Sequence, residues 1–148
     1  MGESLTLLLR LAIERREQAA QRLQQARQRC LQAQQKLQQL QSYQQEYASR
    51  LGALARVGMG GQQWNDFQRF LHKLEAARCQ QHQEIKQSEQ AAMVACQQWQ
   101  VQEREVKAFE TLQTRHLQRF QQQQQRYEQK SIDDWVMRQQ HLSDNDLH

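Results

Sequence analysis

The chain has 148 residues, no proline and 35 glutamines, with a mean hydropathy of −1.04 and 7% aromatic residues. The chain is too poor in bulky apolar side chains for a globular core of normal thickness, so it is either disordered or buries only the narrow stripe of a coiled coil. The formal net charge of +4 is uneven, because residues 1–57 hold nine Lys/Arg against four Asp/Glu and residues 58–148 hold eleven against twelve. The basic charges are spread around the predicted helix, which favours an acidic protein partner over nucleic acid.

The first segment repeats apolar residues in alternating steps of three and four. This spacing predicts one helix over residues 4–55, whose apolar seam packs against a second helix. The seam positions are Leu9, Ala12, Arg16, Ala19, Leu23, Ala26, Cys30, Ala33, Leu37, Leu40, Gln44, Tyr47, Leu51 and Leu54.

The second segment keeps the same spacing with more polar seam positions, and it predicts a helix over residues 63–138. Polar seam residues fix the register of a coiled coil at a cost in stability. Residues 139–148 have no periodicity and are predicted to be a disordered tail. The seam positions are Trp64, Phe67, Leu71, Leu74, Arg78, Gln81, Ile85, Ser88, Ala92, Ala95, Trp99, Gln102, Val106, Phe109, Gln113, His116, Phe120, Gln123 and Tyr127.

Three glycines, Gly58, Gly60 and Gly61, lie in the connection over residues 56–62 and predict a tight reversal of the chain. The alternative is one continuous helix that dimerises, but three glycines would cost it roughly 3 kcal/mol in helix propensity. We therefore predict an all-α fold with a single coiled-coil domain over residues 1–148, in which two long helices form an antiparallel coiled-coil hairpin.

The register of this hairpin can be predicted from its tip. Setting Leu51 opposite Phe67 brings Leu5 opposite Gln113 at the other end, because the residue numbers of facing positions keep a constant sum of 118. Residues after about Arg115 then have no partner within the chain. We expect them to form a C-terminal helical overhang, and its exposed aromatic residues favour a binding partner over a frayed end.

Residue types that support catalysis or metal binding do not occur in useful arrangements. Cys79 and His82 are three residues apart and supply two metal ligands at most, whereas structural zinc takes four. We expect no metal site, no cofactor and no enzymatic activity, since a helix pair also lacks a concave pocket. Cys30, Cys79 and Cys96 are expected to be reduced thiols. No secretory signal or apolar run of about 18 residues is found, which indicates a cytoplasmic protein.

Aromatic residues cluster near the predicted turn. Trp64, Phe67 and Tyr47 lie on the seam and are expected to close the tip of the hairpin. Tyr43 and Phe70 each precede a seam position by one residue and share a flank with Ala77, bordered by the basic residues Lys36 and Arg50. Two aromatic rings beside a small residue and basic groups favour a protein-binding hot spot. The alternatives are that the rings fold over the seam, or that they stack on nucleic-acid bases.

Several of these segments resemble the FliJ family, the soluble coiled-coil component of the flagellar type III export apparatus. They are SYQQEY (42–47), WNDFQRFLHKLE (64–75), the mid-helix Trp99, AFETLQTRH (108–116) and RYEQKSIDDW (126–135). The resemblance covers roughly residues 5–138. Stalk proteins of virulence injectisomes share the architecture, but these motifs favour the flagellar branch.

The resemblance implies a non-catalytic stalk that sits inside the hexameric export ATPase ring and promotes its assembly and activity. It also implies binding to the cytoplasmic domain of the membrane export gate, binding to flagellar export chaperones, and peripheral association with the inner membrane through these partners. The implied gate-binding residues are Leu40, Tyr43, Tyr47, Phe70, Leu74 and Ala77; this sequence departs from the family pattern at two further positions, Lys36 and Gln81.

The implied ATPase-binding region comprises the first turns, residues 5–16, and the overhang from 116 to 135. Its candidate residues are Arg10, Arg15, Arg16, Phe120, Tyr127 and Trp135. A solvated basic face is the alternative reading of the three arginines. For the whole chain, the alternative functions are an injectisome-type stalk protein, a nucleic-acid-binding coiled coil and a self-associating scaffold.

Overall fold

A computed structural model describes residues 2–146, which form two α-helices joined by a short turn. Helix α1 spans Gly2–Val57 and helix α2 spans Gly61–Asp146. No proline interrupts either helix, and the sequence is dominated by good helix formers such as Gln, Arg, Leu and Ala. The predicted all-α helical hairpin is confirmed.

The turn depends on one glycine more than on the other two. Gly58 has a φ of +105°, a backbone conformation that residues with a Cβ rarely adopt. Its N–H donates to the carbonyl oxygen of Leu54 at 3.1 Å. This hydrogen bond is typical of an α-helix whose C-terminus is capped by a residue with positive φ. Gly60 and Gly61 have no positive φ, and a Cβ at either would meet open space. The reversal therefore requires glycine at position 58 alone.

Both helices are longer than the sequence pattern predicts. The largest difference is at the end of α2, which continues to Asp146 where residues 139–148 were expected to be disordered. After Gly61 the chain contains neither glycine nor proline, so no residue breaks the helix once the apolar periodicity ends. Residues 147 and 148 lie outside the part of the chain that the structure describes.

The packing divides into two compact units. One unit, Arg15–Gln102, contains the turn and the stretches of α1 and α2 on either side of it. Its buried apolar residues follow the predicted seam and are Ala19, Leu23, Leu51, Ile85 and Ala95. The other unit joins the start of α1, through Glu14, to α2 from Glu103 onward, and it buries Ala12 and Val106.

Burial follows the predicted seam closely and departs from it at the turn. In α1 every seam position from Leu9 to Leu51 is buried or half-buried, and in α2 the same holds from Phe67 to Gln113. Leu54 is exposed, and Trp64 is 42% exposed. The prediction that Trp64 closes the tip is therefore wrong, because tight packing ends before the turn, at the level of Leu51 and Phe67.

Polar seam residues contribute to the register in the unit around the turn. Gln81 is buried, and its Nε2 donates to the carbonyl oxygen of Ala33 at 2.9 Å. Ala33 lies one helical turn before Leu37, the residue that the predicted register sets opposite Gln81, and the long amide side chain spans this offset. In the other unit, Leu5 and Gln113 line the same groove, as the predicted register requires.

Beyond the groove that His116, Leu117 and Phe120 line with the first turns of α1, the last part of α2 has no covering partner within the described chain. Every described residue after Gln113 is exposed, which agrees with the predicted end of pairing near Arg115. We call residues 116–146 the overhang. It carries large exposed apolar side chains, namely Leu117, Phe120, Tyr127, Ile132, Trp135, Val136, Met137 and Leu142.

Candidate docking surfaces

Four aromatic rings from the two helices form a connected cluster near the turn. Tyr47 occupies its centre, with ring centroids 4.4 Å from Phe70 and 5.2 Å from Phe67. Tyr43 lies at the edge, 6.0 Å from Tyr47 and 6.2 Å from Phe70, the latter with near edge-to-face geometry. Aromatic pairs at such distances add stability beyond the area they bury. The cluster therefore links α1 and α2 and also presents a rigid aromatic surface.

Exposure within this cluster is unequal. Tyr43 is 49% exposed, whereas Phe70 is half-buried against Tyr47. The sequence pattern predicted that the rings of Tyr43 and Phe70 both lie outside the seam. The structure places only Tyr43 at the outer edge, because Phe70 leans onto a seam residue.

The predicted gate-binding residues all lie within the unit Arg15–Gln102. Five of them, Leu40, Tyr47, Phe70, Leu74 and Ala77, are half-buried, and Tyr43 is exposed. A partner that docks here would therefore contact the outer edges of seam residues together with the exposed half of Tyr43.

A polar groove beside Tyr43 was not anticipated from the sequence. It has a volume of about 640 Å³. Such a wall of amide and hydroxyl groups can hydrogen-bond a partner while Tyr43 supplies apolar contact. The only sequence signal for it is a dense run of polar residues just before Tyr43. Its lining residues are Gln35, Gln38, Gln39, Ser42, Tyr43 and Glu46.

Glu75 accepts hydrogen bonds from both helices. Gln44 Nε2 donates to its Oε2 at 3.0 Å, and Arg78 Nη2 donates to its Oε1 at 2.7 Å. The hydrogen bond from Gln44 and then that from Arg78 lower the pKa of the Glu75 carboxyl group, because both stabilise its charged form. The carboxylate therefore remains ionised at neutral pH and helps to hold α1 and α2 together.

The two departures from the family pattern have different environments. Gln81 is buried and its amide N–H is engaged by Ala33, so little of this side chain is available to a partner. Lys36 and the neighbouring His82 are exposed. A basic and an imidazole side chain are therefore accessible at these two positions.

A second candidate surface lies in the unit that contains the overhang. The first turns of α1 and the start of the overhang enclose a groove of about 640 Å³ with largely apolar walls. Arg10 and Phe120 both line it, so the structure brings together these two predicted ATPase-binding residues. Its other lining residues are Gly2, Glu3, Leu5, Thr6, Leu7, Gln113, His116 and Leu117.

The remaining predicted ATPase-binding residues are more dispersed. Tyr127 is 76% exposed and Trp135 is also exposed, both along the overhang. Arg15 is exposed and Arg16 is half-buried on the seam, and both belong to the unit around the turn.

Within residues 2–146, no three His, Cys, Asp or Glu side chains are grouped so that they could hold a metal ion. Over the same residues, neither helix contains an apolar segment that could cross a membrane.

Comparison with known proteins gives two findings. A family model described as the flagellar FliJ protein matches residues 1–144. A flagellar FliJ protein from Escherichia coli strain K12 is 31% identical over 135 residues, which cover 91% of this chain and 92% of the relative. The two chains are therefore similar along nearly their whole lengths.

Proposed function

The chain belongs to the FliJ family of flagellar export proteins, and we propose that it is the non-catalytic stalk of the export ATPase and a link to the export gate. In this role the overhang end binds within the hexameric ATPase ring and promotes its assembly and activity. The aromatic cluster near the turn binds the cytoplasmic domain of the membrane export gate. The flagellar membership also favours this role over that of an injectisome stalk.

The observation that carries the proposal is that the chain has two chemically different docking surfaces, one in each compact unit. Tyr43 and the neighbouring half-buried residues give the gate a rigid aromatic surface with a polar rim. The overhang gives the ATPase a single helix with exposed aromatic residues. One chain with two such surfaces can engage two partners at once.

The proposal extends to the chaperones and to location in the cell. Glutamine-rich helix faces offer many amide groups for replaceable contacts, which suits transient binding of flagellar export chaperones. We place the protein in the cytoplasm, peripherally associated with the inner membrane through the gate and the ATPase. It requires no cofactor for these tasks.

The gate contact is tested by Tyr43→Ala and by the double variant Tyr43→Ala with Phe70→Ala. Both variants should lose pull-down of the gate's cytoplasmic domain. The single variant is included because Phe70 packs on Tyr47, so that its removal also loosens the hairpin. Trp64→Ala, which removes an exposed aromatic outside the predicted set, is the control and should retain binding. Full binding by both Tyr43 variants would remove this surface from the proposal.

The ATPase contact is tested by deleting residues 120–148 and by replacing Phe120, Tyr127 and Trp135 together with Ala. Both changes should reduce stimulation of the export ATPase while leaving gate pull-down intact. Truncation after residue 138 is the control, because it retains all three aromatic residues. Undiminished stimulation by the triple variant would move the ATPase contact to another part of the chain.

A further inference from the structure

The overhang carries a stripe of residues that is nearly the same when it is read in either direction. Seven positions, separated by steps of three, four, four, four, four and three, run along one side of α2. From the first to the last they are Phe120, Gln123, Tyr127, Ser131, Trp135, Gln139 and Leu142. Each half thus contains an apolar residue, a glutamine and an aromatic residue, arranged about Ser131.

The spacing keeps these residues on one face. Phe120 and Leu142 are 22 residues and six steps apart, an average of about 3.7 residues per step, which matches the 11-residue repeat of helices that pair with little or right-handed supercoiling. Phe120, Tyr127, Trp135 and Leu142 are all exposed. Phe120 lines the groove with the first turns of α1, and from Gln123 onward this face is an unpaired seam in the described chain.

The charges of the overhang are also divided about its middle. Residues 116–130 contain Arg119, Arg126 and Lys130 against a single acidic residue, Glu128. Residues 131–146 contain four aspartates, Asp133, Asp134, Asp144 and Asp146, against a single basic residue, Arg138. Two overhangs placed side by side in parallel would bring like charges together, whereas an antiparallel arrangement brings each basic half against an acidic half.

The end of α2 points to the same arrangement. Its last turn contains no basic residue, although the negative end of the helix dipole lies there, and Asp144 and Asp146 add further negative charge. In an antiparallel pair, the basic half of the partner overhang lies beside this acidic end. The pairing thus offsets the repulsion between the aspartates and the negative end of the helix dipole, which has no such compensation in the single chain.

We propose that two copies of this chain associate through their overhangs, antiparallel and about a twofold axis near Ser131. In this pair Phe120 contacts Leu142 of the second copy, Tyr127 contacts Trp135, and Gln123 faces Gln139. Each contact occurs twice, as twofold symmetry requires. Lys130 of each copy lies close to Asp133 and Asp134 of the other.

The association has a consequence for the stalk role. It covers Phe120, Tyr127 and Trp135, so a chain within the pair cannot present these residues to the export ATPase. This consequence alone rests on the proposed function, because the self-association is argued from the overhang itself. The interface is a single short seam, and association is expected at micromolar chain concentrations.

The test is sedimentation equilibrium of the full chain, without any ATPase, from low to high micromolar concentrations. The wild-type chain should show a monomer–dimer equilibrium that weakens as salt is added. Trp135→Ala should weaken the dimer on the order of a hundredfold, since two aromatic contacts are lost. Val136→Ala removes a neighbouring exposed apolar residue that lies off the stripe, and it should leave the equilibrium unchanged.

Two charge variants distinguish specific antiparallel pairing from non-specific association. One carries Arg126→Glu and Lys130→Glu, and the other carries Asp133→Lys and Asp134→Lys. Each alone should dimerise at least about tenfold more weakly, because the facing charges become alike. A mixture of the two should form one-to-one heterodimers, since opposite charges then meet again. A wild-type chain that stays monomeric throughout, or a mixture that does not pair, would overturn the proposal.

Misfolding of the variants cannot explain weak homodimers together with stable heterodimers, because each variant can restore the dimerisation of the other only through direct contact. The result is also independent of the ATPase. If the dimer forms but the overhang variants still stimulate the ATPase, the stalk contact fails and the self-association stands. If the chain is monomeric and the overhang aromatics are needed for stimulation, the self-association fails and the stalk contact stands.

Discussion

Helix α2 contains two regions that are both helical but have very different surroundings. From Phe67 to Gln113 its seam residues are buried or half-buried, whereas every described residue after Gln113 is exposed. Both regions are rich in glutamine and both carry apolar residues at helical spacing, although the alanines of α2 all lie in the first region. Secondary structure in this chain is therefore set locally, whereas the burial of an α2 residue depends on whether α1 extends far enough to pack against it. The first region holds the hairpin together, and the second is available to another molecule.

The two regions should differ most in the free energy of unfolding that is lost when the same substitution is made in each. Val106→Asp places a carboxylate at a position with 0% exposure, and it should lower the free energy of unfolding by about 3 kcal/mol or more. Val136→Asp makes the same change at a position with 40% exposure, and it should cost no more than about 0.5 kcal/mol. Urea unfolding followed by circular dichroism measures both. Equal losses would contradict the division of α2.

The paired region also depends on the turn that brings the helices together. Gly58→Ala should lower the free energy of unfolding by about 1–2 kcal/mol, because the φ of +105° is strained for any residue with a Cβ. Gly60→Ala is the matched control; it meets open space without a positive φ, so it should have little effect. Thermal unfolding of the two variants compares them directly, and a harmless Gly58→Ala would mean that the turn has another conformation.

A smaller effect is expected at the polar seam. Gln81→Ala removes the hydrogen bond to the Ala33 carbonyl oxygen and should cost about 1 kcal/mol. Gln83→Ala changes an exposed glutamine of the same helix and should be nearly neutral. Urea unfolding of the pair would show whether register in the paired region depends on this amide. A neutral Gln81→Ala would assign the register to apolar packing alone.

The smallest effect concerns Glu75. Its folded-state pKa is lowered by Gln44 and Arg78, so its contribution to stability is present above the ordinary pKa of a glutamate and is lost as the pH falls through the lowered value. Glu75→Gln should therefore reduce stability slightly at neutral pH and should flatten the loss of stability on acidification. Unfolding curves measured from neutral to acidic pH test this. An unchanged acid slope would mean that the network is absent in solution.

The seam could be predicted from the sequence because burial in a coiled coil follows a fixed spacing. Leu23, Leu51 and Ile85 are buried where the repeat puts them, and the end of pairing near Arg115 follows from the length of α1. The family resemblance drawn from the sequence motifs was likewise confirmed by the family match.

Features that depend on the actual stagger of the helices could not be predicted in the same way. The reach of Gln81 to Ala33, one turn from the residue expected opposite it, depends on side-chain length and local geometry. The exposure of Leu54 and Trp64 depends on where the turn separates the helices. The end of α2 was misjudged because loss of apolar periodicity was taken as loss of helix, although no breaking residue follows.

The most direct test of the division within α2 is amide hydrogen exchange, read residue by residue in a solution dilute enough to keep the chain monomeric. Slow exchange should extend from about Phe67 to about Gln113 and should fall sharply in the overhang, where no second helix opposes local opening. Equal protection along the whole of α2, or a boundary far from Gln113, would contradict the account.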